Sequence, residues 1–169
     1  HYLDSETYRV EQAPTLMPAF QLIREDLADL DFKPHTKILK EGDRVIFKDC
    51  NFLGFQDTLY PRAATSRQYY KNCYIEGTTD FIFGEATAVF SKCTIKSLAN
   101  SYITAASTTK EQAFGFVFLN CDLVAMPNAT KVFLGRPWRP FAKTVFIGCS
   151  LAKHIVAEGC NSWPGDPMF

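Results

Sequence analysis

A five-fold repeat centred on cysteine constrains this chain more than any other feature. In each copy an aromatic residue lies three positions before a cysteine, and an apolar residue lies two positions after it. The cysteines stand at positions 50, 73, 93, 121 and 149, so successive copies are 23, 20, 28 and 28 residues apart. The copies read IFKDCNF, YYKNCYI, VFSKCTI, VFLNCDL and VFIGCSL. Agreement at several positions in five copies indicates one structural unit repeated along the chain.

A repeat of this length, rich in β-branched and aromatic residues, predicts a solenoid built from strands. Helical periodicity is absent between the cysteines, which argues against helical and leucine-rich repeats. The aromatic residue and the cysteine differ in parity, so one straight strand cannot turn both inward, whereas a bend between them can. We therefore predict an all-β fold, a right-handed single-stranded parallel β-helix of about five coils.

In such a fold the five cysteines stack as an inward ladder, one per coil and about 4.8 Å apart. We expect them to be buried as small hydrophobic residues. Disulfides between neighbouring coils are the alternative, although five members would leave at least one cysteine unpaired. Cys160 lies outside the repeat, and its role is open; an exposed position fits it best. No CxxC pair occurs, so no zinc site is predicted.

The remaining segments are predicted to close the ends of the solenoid. Residues 1–40 include apolar positions at steps of three and four between residues 20 and 30, a pattern typical of an amphipathic helix that caps the first coil. Residues 41–160 form the β-helix, and the turn-rich residues 161–169 form a C-terminal tail. Residues 99–110 and 125–131 lengthen two coils and are predicted to form loops.

The composition excludes some classes of partner. The 18 basic and 18 acidic residues balance, so the chain has no electrostatic basis for binding nucleic acid or an anionic membrane. No apolar run approaches the roughly 20 residues that span a bilayer.

His35 and His154 have no partner at the spacing of a metal site or a catalytic triad, so both are predicted to lie at the surface.

Two aspartates share an offset from the repeat. Asp57 lies seven residues after Cys50, and Asp80 lies seven residues after Cys73. Neighbouring coils in register would place the two carboxylates side by side, about 4.8 Å apart at the backbone. At that distance both cannot ionise freely, so one becomes a proton-bearing acid and the other a nucleophile or base. The alternative is that both aspartates only cap successive turns.

A third segment, residues 133–138 (FLGRPW), ends the strand of the fourth coil. Arg136 lies about two coils, or roughly 10 Å, from Asp80, which a guanidinium can reach to hold the carboxylate through two hydrogen bonds. We then expect Asp80 to have the lower pKa of the two aspartates. Trp138 has the same parity as Arg136 and offers a flat face for a sugar ring. The alternative is a surface arginine packed on Trp138.

At these residues the sequence resembles the pectin methylesterase family. Residues 54–60 (GFQDTLY), 80–84 (DFIFG) and 134–138 (LGRPW) match its motifs in order and approximate spacing, and the resemblance covers about residues 41–160. It implies a parallel β-helix that hydrolyses the methyl esters of polygalacturonate (pectin) to pectate and methanol. It implies no cofactor and no metal, and a secreted or periplasmic location.

The resemblance also implies roles for single residues. Asp80 is similar to the family's nucleophile, which forms a covalent acyl-enzyme. Asp57 resembles the general acid and base. Gln56 would donate its amide to the developing oxyanion, and Arg136 would orient Asp80. Trp138 and Phe83 match positions that contact the substrate.

Two departures from the family pattern keep other functions open. A further glutamine that the family carries about sixteen residues before the first cysteine is replaced by Pro34, so a donor to the oxyanion is missing unless Thr36 or a water substitutes. The family's first coils are also missing, which predicts a short or truncated member. The alternative function is therefore a catalytically impaired, pectin-binding β-helix. A polysaccharide lyase or hydrolase on the same fold is a third reading. The sequence indicates no oligomeric state.

Overall fold

The computed structural model describes residues 9–12, 38–40 and 42–163, and every regular element within them is a β-strand. The strands are β1 (Arg9–Gln12), β2 (Ile38–Lys40), β3 (Val45–Lys48), β4 (Cys50–Leu53), β5 (Leu59–Pro61), β6 (Arg67–Lys71), β7 (Tyr74–Gly77), β8 (Ile82–Gly84), β9 (Thr87–Ser91), β10 (Thr94–Ser97), β11 (Tyr102–Ala106), β12 (Phe116–Leu119), β13 (Asp122–Ala125), β14 (Phe133–Gly135), β15 (Thr144–Ile147) and β16 (Ser150–Leu151). The amphipathic helix predicted over residues 20–32 lies outside the described residues. Nothing in the described ranges forms a helix with the length and hydrophobicity that crossing a bilayer requires.

From β2 onward, three strands make one turn of the chain, and five turns are present in the described ranges. Sheet 1 contains β2, β5, β8, β11 and β14, sheet 2 contains β3, β6, β9, β12 and β15, and sheet 3 contains β4, β7, β10, β13 and β16. All neighbours within these sheets are parallel. Strand β1 alone pairs antiparallel, on the outer edge of β4. The predicted parallel β-helix of about five coils is confirmed.

The bend between sheets 2 and 3 falls immediately before each cysteine of the repeat. The residue at this position has a positive φ in every coil: Asp49 (54°), Asn72 (52°), Lys92 (53°), Asn120 (52°) and Gly148 (61°). Each of the first four donates its backbone amide to a carbonyl of the next coil, at 2.9–3.0 Å. Glycine, asparagine and aspartate adopt this left-handed conformation at little cost, so the residue directly before the cysteine suits the corner in four of the five coils.

Lys92 is the exception in this row, because a long side chain without a local hydrogen-bonding group stands at φ 53°. We expect Lys92→Asn to raise the free energy of unfolding by about 0.5–1 kcal/mol, since asparagine tolerates this conformation better. Equilibrium urea unfolding measures the change. Lys71→Asn is the matched control: Lys71 is also exposed but lies within β6, so it gains nothing. Equal effects of the two substitutions would contradict the backbone explanation.

Two stacked rows within the core run along the solenoid axis. The aromatic residues of the repeat, Phe47, Tyr70, Phe90, Phe118 and Phe146, stack with ring centroids 4.6–4.8 Å apart and interplanar angles of 9–14°. The repeat cysteines form the second row, and the first four are buried. All six cysteines of the chain are free, and Cys160 is exposed. The ladder of unpaired, inward cysteines is therefore confirmed.

Two features of the chain's layout go beyond the prediction. Strands β1 and β2 lie within residues 1–40 and pair with β4 and β5 of the solenoid. Residues 99–110 are not only a loop, because β11 lies within them and supplies a strand of sheet 1. Strand β11 was not predicted because the strands of sheet 1 lie outside the cysteine repeat.

His154 is buried, so its predicted surface position is wrong. The segment that contains His154 runs beside Val132, which directly precedes β14, and forms backbone hydrogen bonds with it. The amide of Val132 donates to the carbonyl of His154 at 2.8 Å, and the amide of Val156 donates to the carbonyl of Val132 at 3.0 Å. The side chain thereby turns inward, and burial lowers the pKa of His154. Its Nε2 atom has no hydrogen-bond partner among the residues that the structure describes.

Candidate active site

The two aspartates of the shared offset lie on adjacent coils at the same position. Leu59 of β5 pairs with Ile82 of β8. Asp57 and Asp80 each come two residues before this pair, and the amide of Asp57 donates to the carbonyl of Thr79 at 3.0 Å. Both aspartates have positive φ, 58° and 50°. The predicted adjacency is therefore confirmed, and one local backbone conformation presents both carboxylates.

The backbone behind the aspartates is tightly packed and needs a glycine. A Cβ atom on Gly77 would lie 2.2 Å from Cβ of Phe81 and 2.5 Å from the carbonyl oxygen of Phe55. Thr58, which directly follows Asp57, is fully buried. Its hydroxyl lies 3.0 Å from the carbonyl of Phe55 and 3.1 Å from that of Glu76. The turn that carries Asp57 is thus fixed to the strand that leads to Asp80.

Arg136 holds Asp80 through both carboxylate oxygens. Its Nε donates to Oδ1 at 3.0 Å and its Nη2 donates to Oδ2 at 2.6 Å. Arg136 directly follows β14, and β11 lies between β14 and β8, so the side chain reaches across two coils as predicted. The Arg136 and Asp80 side chains are only 15% and 7% exposed. The pair is therefore largely removed from water, where electrostatic interactions are stronger.

The pKa of Asp80 is raised, although its ion pair with Arg136 alone would lower it. Burial raises it, the hydrogen bonds and charge of Arg136 lower it, the charge of Asp57 raises it, and the net direction is upward. Asp43 and Arg67 make the same bidentate pair on the surface, at 2.9 and 2.6 Å, and there the arginine's hydrogen bonds lower the pKa of Asp43. We expected Arg136 to give Asp80 the lower pKa of the two aspartates, but the burial of Asp80 acts in the opposite direction and outweighs its ion pair.

Aromatic rings line the outer face of sheet 1 beside the carboxylates. Phe83 stacks on Tyr60, with ring centroids 4.3 Å apart, and Trp138 meets both rings edge-on at 5.9 and 6.3 Å. Phe83 is only 4% exposed, so Tyr60 and Trp138 offer the accessible ring surface. The amide of Trp138 is fixed by the carbonyl of Ala106 at 2.8 Å. The three rings form an apolar cluster beside the carboxylates, with the stacked Tyr60–Phe83 pair set at a steep angle to Trp138.

Gln56 is exposed and directly precedes Asp57, so its backbone lies at the same edge of the coil as the two aspartates. The six residues predicted for the site all lie within or next to strands of sheet 1: Gln56, Asp57 and Asp80 precede β5 and β8, Phe83 is in β8, and Arg136 and Trp138 follow β14. In the part of the chain that the structure describes, no three His, Cys, Asp or Glu side chains are grouped so as to hold a metal ion.

Sequence reasoning missed three aromatic residues at this face. Tyr60 had a signal, because it follows Asp57 by three positions, as Phe83 follows Asp80. Tyr102 and Trp163 lie over the guanidinium of Arg136, with its Cζ 4.3 and 4.1 Å from their ring centroids. No spacing in the sequence indicated the position of Trp163, because it depends on the course of the tail.

Fold and site together define a class of protein, a parallel β-helix with an open, aromatic-lined carboxylate site on one outer sheet. The chain belongs to the pectinesterase family, whose family model matches residues 32–169. It is 44% identical over 126 residues to "Probable pectinesterase A" of Neosartorya fischeri, an alignment that covers 72% of this chain and 38% of that protein. The chain therefore spans well under half the length of this relative.

Solved structures of pectin methylesterases have the same fold. The carrot enzyme superposes with a TM-score of 0.68 at 32% identity, over 73% of this chain and 42% of that one. A pectin methylesterase in complex with a hexasaccharide superposes with a TM-score of 0.63 at 34% identity, over 72% of this chain and 41% of that one. The predicted family and fold are both confirmed.

Proposed function

We propose that this chain hydrolyses the methyl esters of polygalacturonate and releases methanol through an aspartyl acyl-enzyme. The observation that carries the proposal is the buried, bidentate Asp80–Arg136 pair beside Asp57 on the neighbouring coil. Burial raises the pKa of Asp80, which makes its carboxylate more nucleophilic than an ordinary one, and the hydrogen bonds and charge of Arg136 oppose that rise. Membership of the pectinesterase family supports the same chemistry.

In the first step a carboxylate oxygen of Asp80 attacks the ester carbonyl carbon. Negative charge develops on the carbonyl oxygen, towards which Gln56 donates its amide. The bond from carbon to the methoxy oxygen then breaks, and the proton of Asp57 passes to that oxygen. Methanol leaves, and the sugar carboxyl remains joined to Asp80 as an anhydride.

In the second step Asp57, now a carboxylate, takes a proton from water while the water oxygen attacks the acyl carbon. The bond to Asp80 breaks, the galacturonate carboxyl is released, and both aspartates return to their starting protonation states. In both steps Arg136 donates to the Asp80 oxygen that does not form the bond to carbon, and so fixes the angle of attack.

The outer face of sheet 1 suits a linear sugar polymer. Tyr60 and Trp138 present apolar ring surface beside the carboxylates, and such surface stacks against the C–H face of a pyranose. The structural relative in complex with a hexasaccharide supports an extended oligosaccharide as the ligand. Because pectin is a wall polysaccharide, the proposal implies action outside the cytoplasm.

The direct test is methanol release from methyl-esterified pectin by the purified chain, with unesterified polygalacturonate as the control substrate. We expect methanol and a matching rise in free carboxyl groups. Binding of polygalacturonate with no methanol release would instead select the pectin-binding β-helix.

The pH dependence of that activity tests the role of Arg136. Asp80 must be ionised to attack, so activity rises with pH through its pKa. Arg136→Gln removes the group that lowers this pKa, and we expect the acid limb of the kcat/KM profile to move up by about one pH unit or more. Arg67→Gln removes the matching partner of Asp43 at the surface and should leave the limb in place. An unmoved limb in Arg136→Gln would contradict the assignment.

A further inference from the structure

Two aromatic rings lie over the guanidinium of Arg136, and the proposed mechanism does not use them. Tyr102 belongs to β11, next to the strand that leads to Arg136, and its ring centroid is 4.3 Å from Cζ. Trp163 belongs to the segment after β16, and its ring centroid is 4.1 Å from Cζ. Both distances are well inside the roughly 6 Å range of cation–π attraction. The edge of the guanidinium donates to Asp80, while the rings contact its face.

The segment that carries Trp163 is fixed beside the site by backbone hydrogen bonds. The amide of Leu134 donates to the carbonyl of Gly159 at 2.6 Å, and the amide of Asn161 donates to the carbonyl of Gly135 at 3.0 Å. Gly135 and Cys160 form a parallel bridge. Residues 159–161 therefore run as a further short pairing along β14, the strand directly before Arg136, and this course brings Trp163 over the guanidinium.

The two rings restrict the rotation of the Arg136 guanidinium. An arginine side chain has several rotatable bonds, and a bidentate hydrogen bond survives only while the guanidinium plane stays aligned with the carboxylate. Rings against the face restrict rotation out of that plane and keep water away from the ion pair. Loss of one ring would let the guanidinium turn and let water compete for its donors.

We propose that Trp163 is a positioning residue for the esterase reaction, acting on Asp80 through Arg136. This inference rests on the proposed function for its kinetic consequence, and on geometry alone for the contact. Trp163 need not touch the substrate. Residues 159–163 then form part of the active site, although none of them takes part in a bond change.

The kinetic test is a double-mutant cycle with Arg136. We expect Trp163→Ala to lower kcat roughly tenfold with little change in KM, and Trp163→Phe, which keeps a ring over the cation, to restore most of the loss. In an Arg136→Gln background the same Trp163→Ala change should have little further effect, because the group it positions is gone. A raised KM, or an equal loss in both backgrounds, would overturn the proposal by showing that Trp163 acts on substrate or independently.

A second measurement does not need activity. Ring currents from Tyr102 and Trp163 should shift the Nε–H resonance of Arg136 upfield in a nitrogen–proton correlation spectrum, and Arg136→Gln assigns that resonance. Trp163→Ala should move the signal downfield and speed its exchange with water. An unmoved signal would overturn the inference. Absence of methanol release by the unaltered chain, with the shifted signal present, would instead count against the proposed function alone.

Discussion

Replacing Asp80 by asparagine should abolish methanol release, with a fall of at least on the order of 10⁴-fold in kcat. Asparagine has the shape of aspartate but no anionic oxygen, so no covalent acyl-enzyme forms. Its Oδ1 can still accept one hydrogen bond from Arg136, which keeps most of the local geometry. The measurement is methanol release from esterified pectin over hours at high enzyme concentration, which sets a low limit of detection.

The matched control is Asp43→Asn. Asp43 and Arg67 repeat the carboxylate–guanidinium geometry of the site, but on the exposed surface, where the side chains are 43% and 57% exposed. We expect this variant to keep full activity. Circular dichroism and the unfolding midpoint of Asp80→Asn should show a folded β-helix, and binding of polygalacturonate should persist. Activity retained by a folded Asp80→Asn protein would rule out this residue as the nucleophile.

The fold was predictable because its strongest constraint is periodic. A single coil cannot bury its own apolar side chains, so the aromatic residue and cysteine recur wherever a coil must pack on the next one. Sheet 2 and sheet 3 meet at that motif, and both were anticipated. Sheet 1 was not delineated, because its strands follow loops of unequal length and share no single residue type. Strand β11 was therefore assigned to a loop.

The site shows the same division between local and long-range information. The adjacency of Asp57 and Asp80 follows from counting residues after a cysteine, since register carries over from coil to coil. The rise in the pKa of Asp80 could not be predicted from residue spacing, because the burial of the carboxylate depends on all the residues packed around it. Trp163 is the extreme case: its contact with Arg136 requires knowing that the tail returns along β14.

The largest stability effect is expected from removing a ring in the middle of the aromatic stack. Phe90 is fully buried, stacks on Tyr70 and Phe118 at 4.6 Å on either side, and meets Phe116 edge-on at 6.1 Å. Phe90→Ala deletes the ring and leaves a cavity between two coils that cannot close without bending both sheets. We expect a loss of about 3–5 kcal/mol in the free energy of unfolding. Equilibrium urea denaturation with a constant m-value measures it.

Phe146→Ala is the comparison that separates stacking from hydrophobicity in general. Among the residues that the structure describes, Phe146 ends the same row, stacks only on Phe118, and is only partly buried. Its truncation removes the same atoms but creates no enclosed cavity, so the expected loss is about 1–2 kcal/mol. If the coils are stabilised chiefly by the continuous aromatic stack, the loss in free energy of unfolding must be smaller for a ring at the end of the stack than for one in its middle. Equal losses at the two positions would show that the coils are held by backbone pairing, with the stack contributing little.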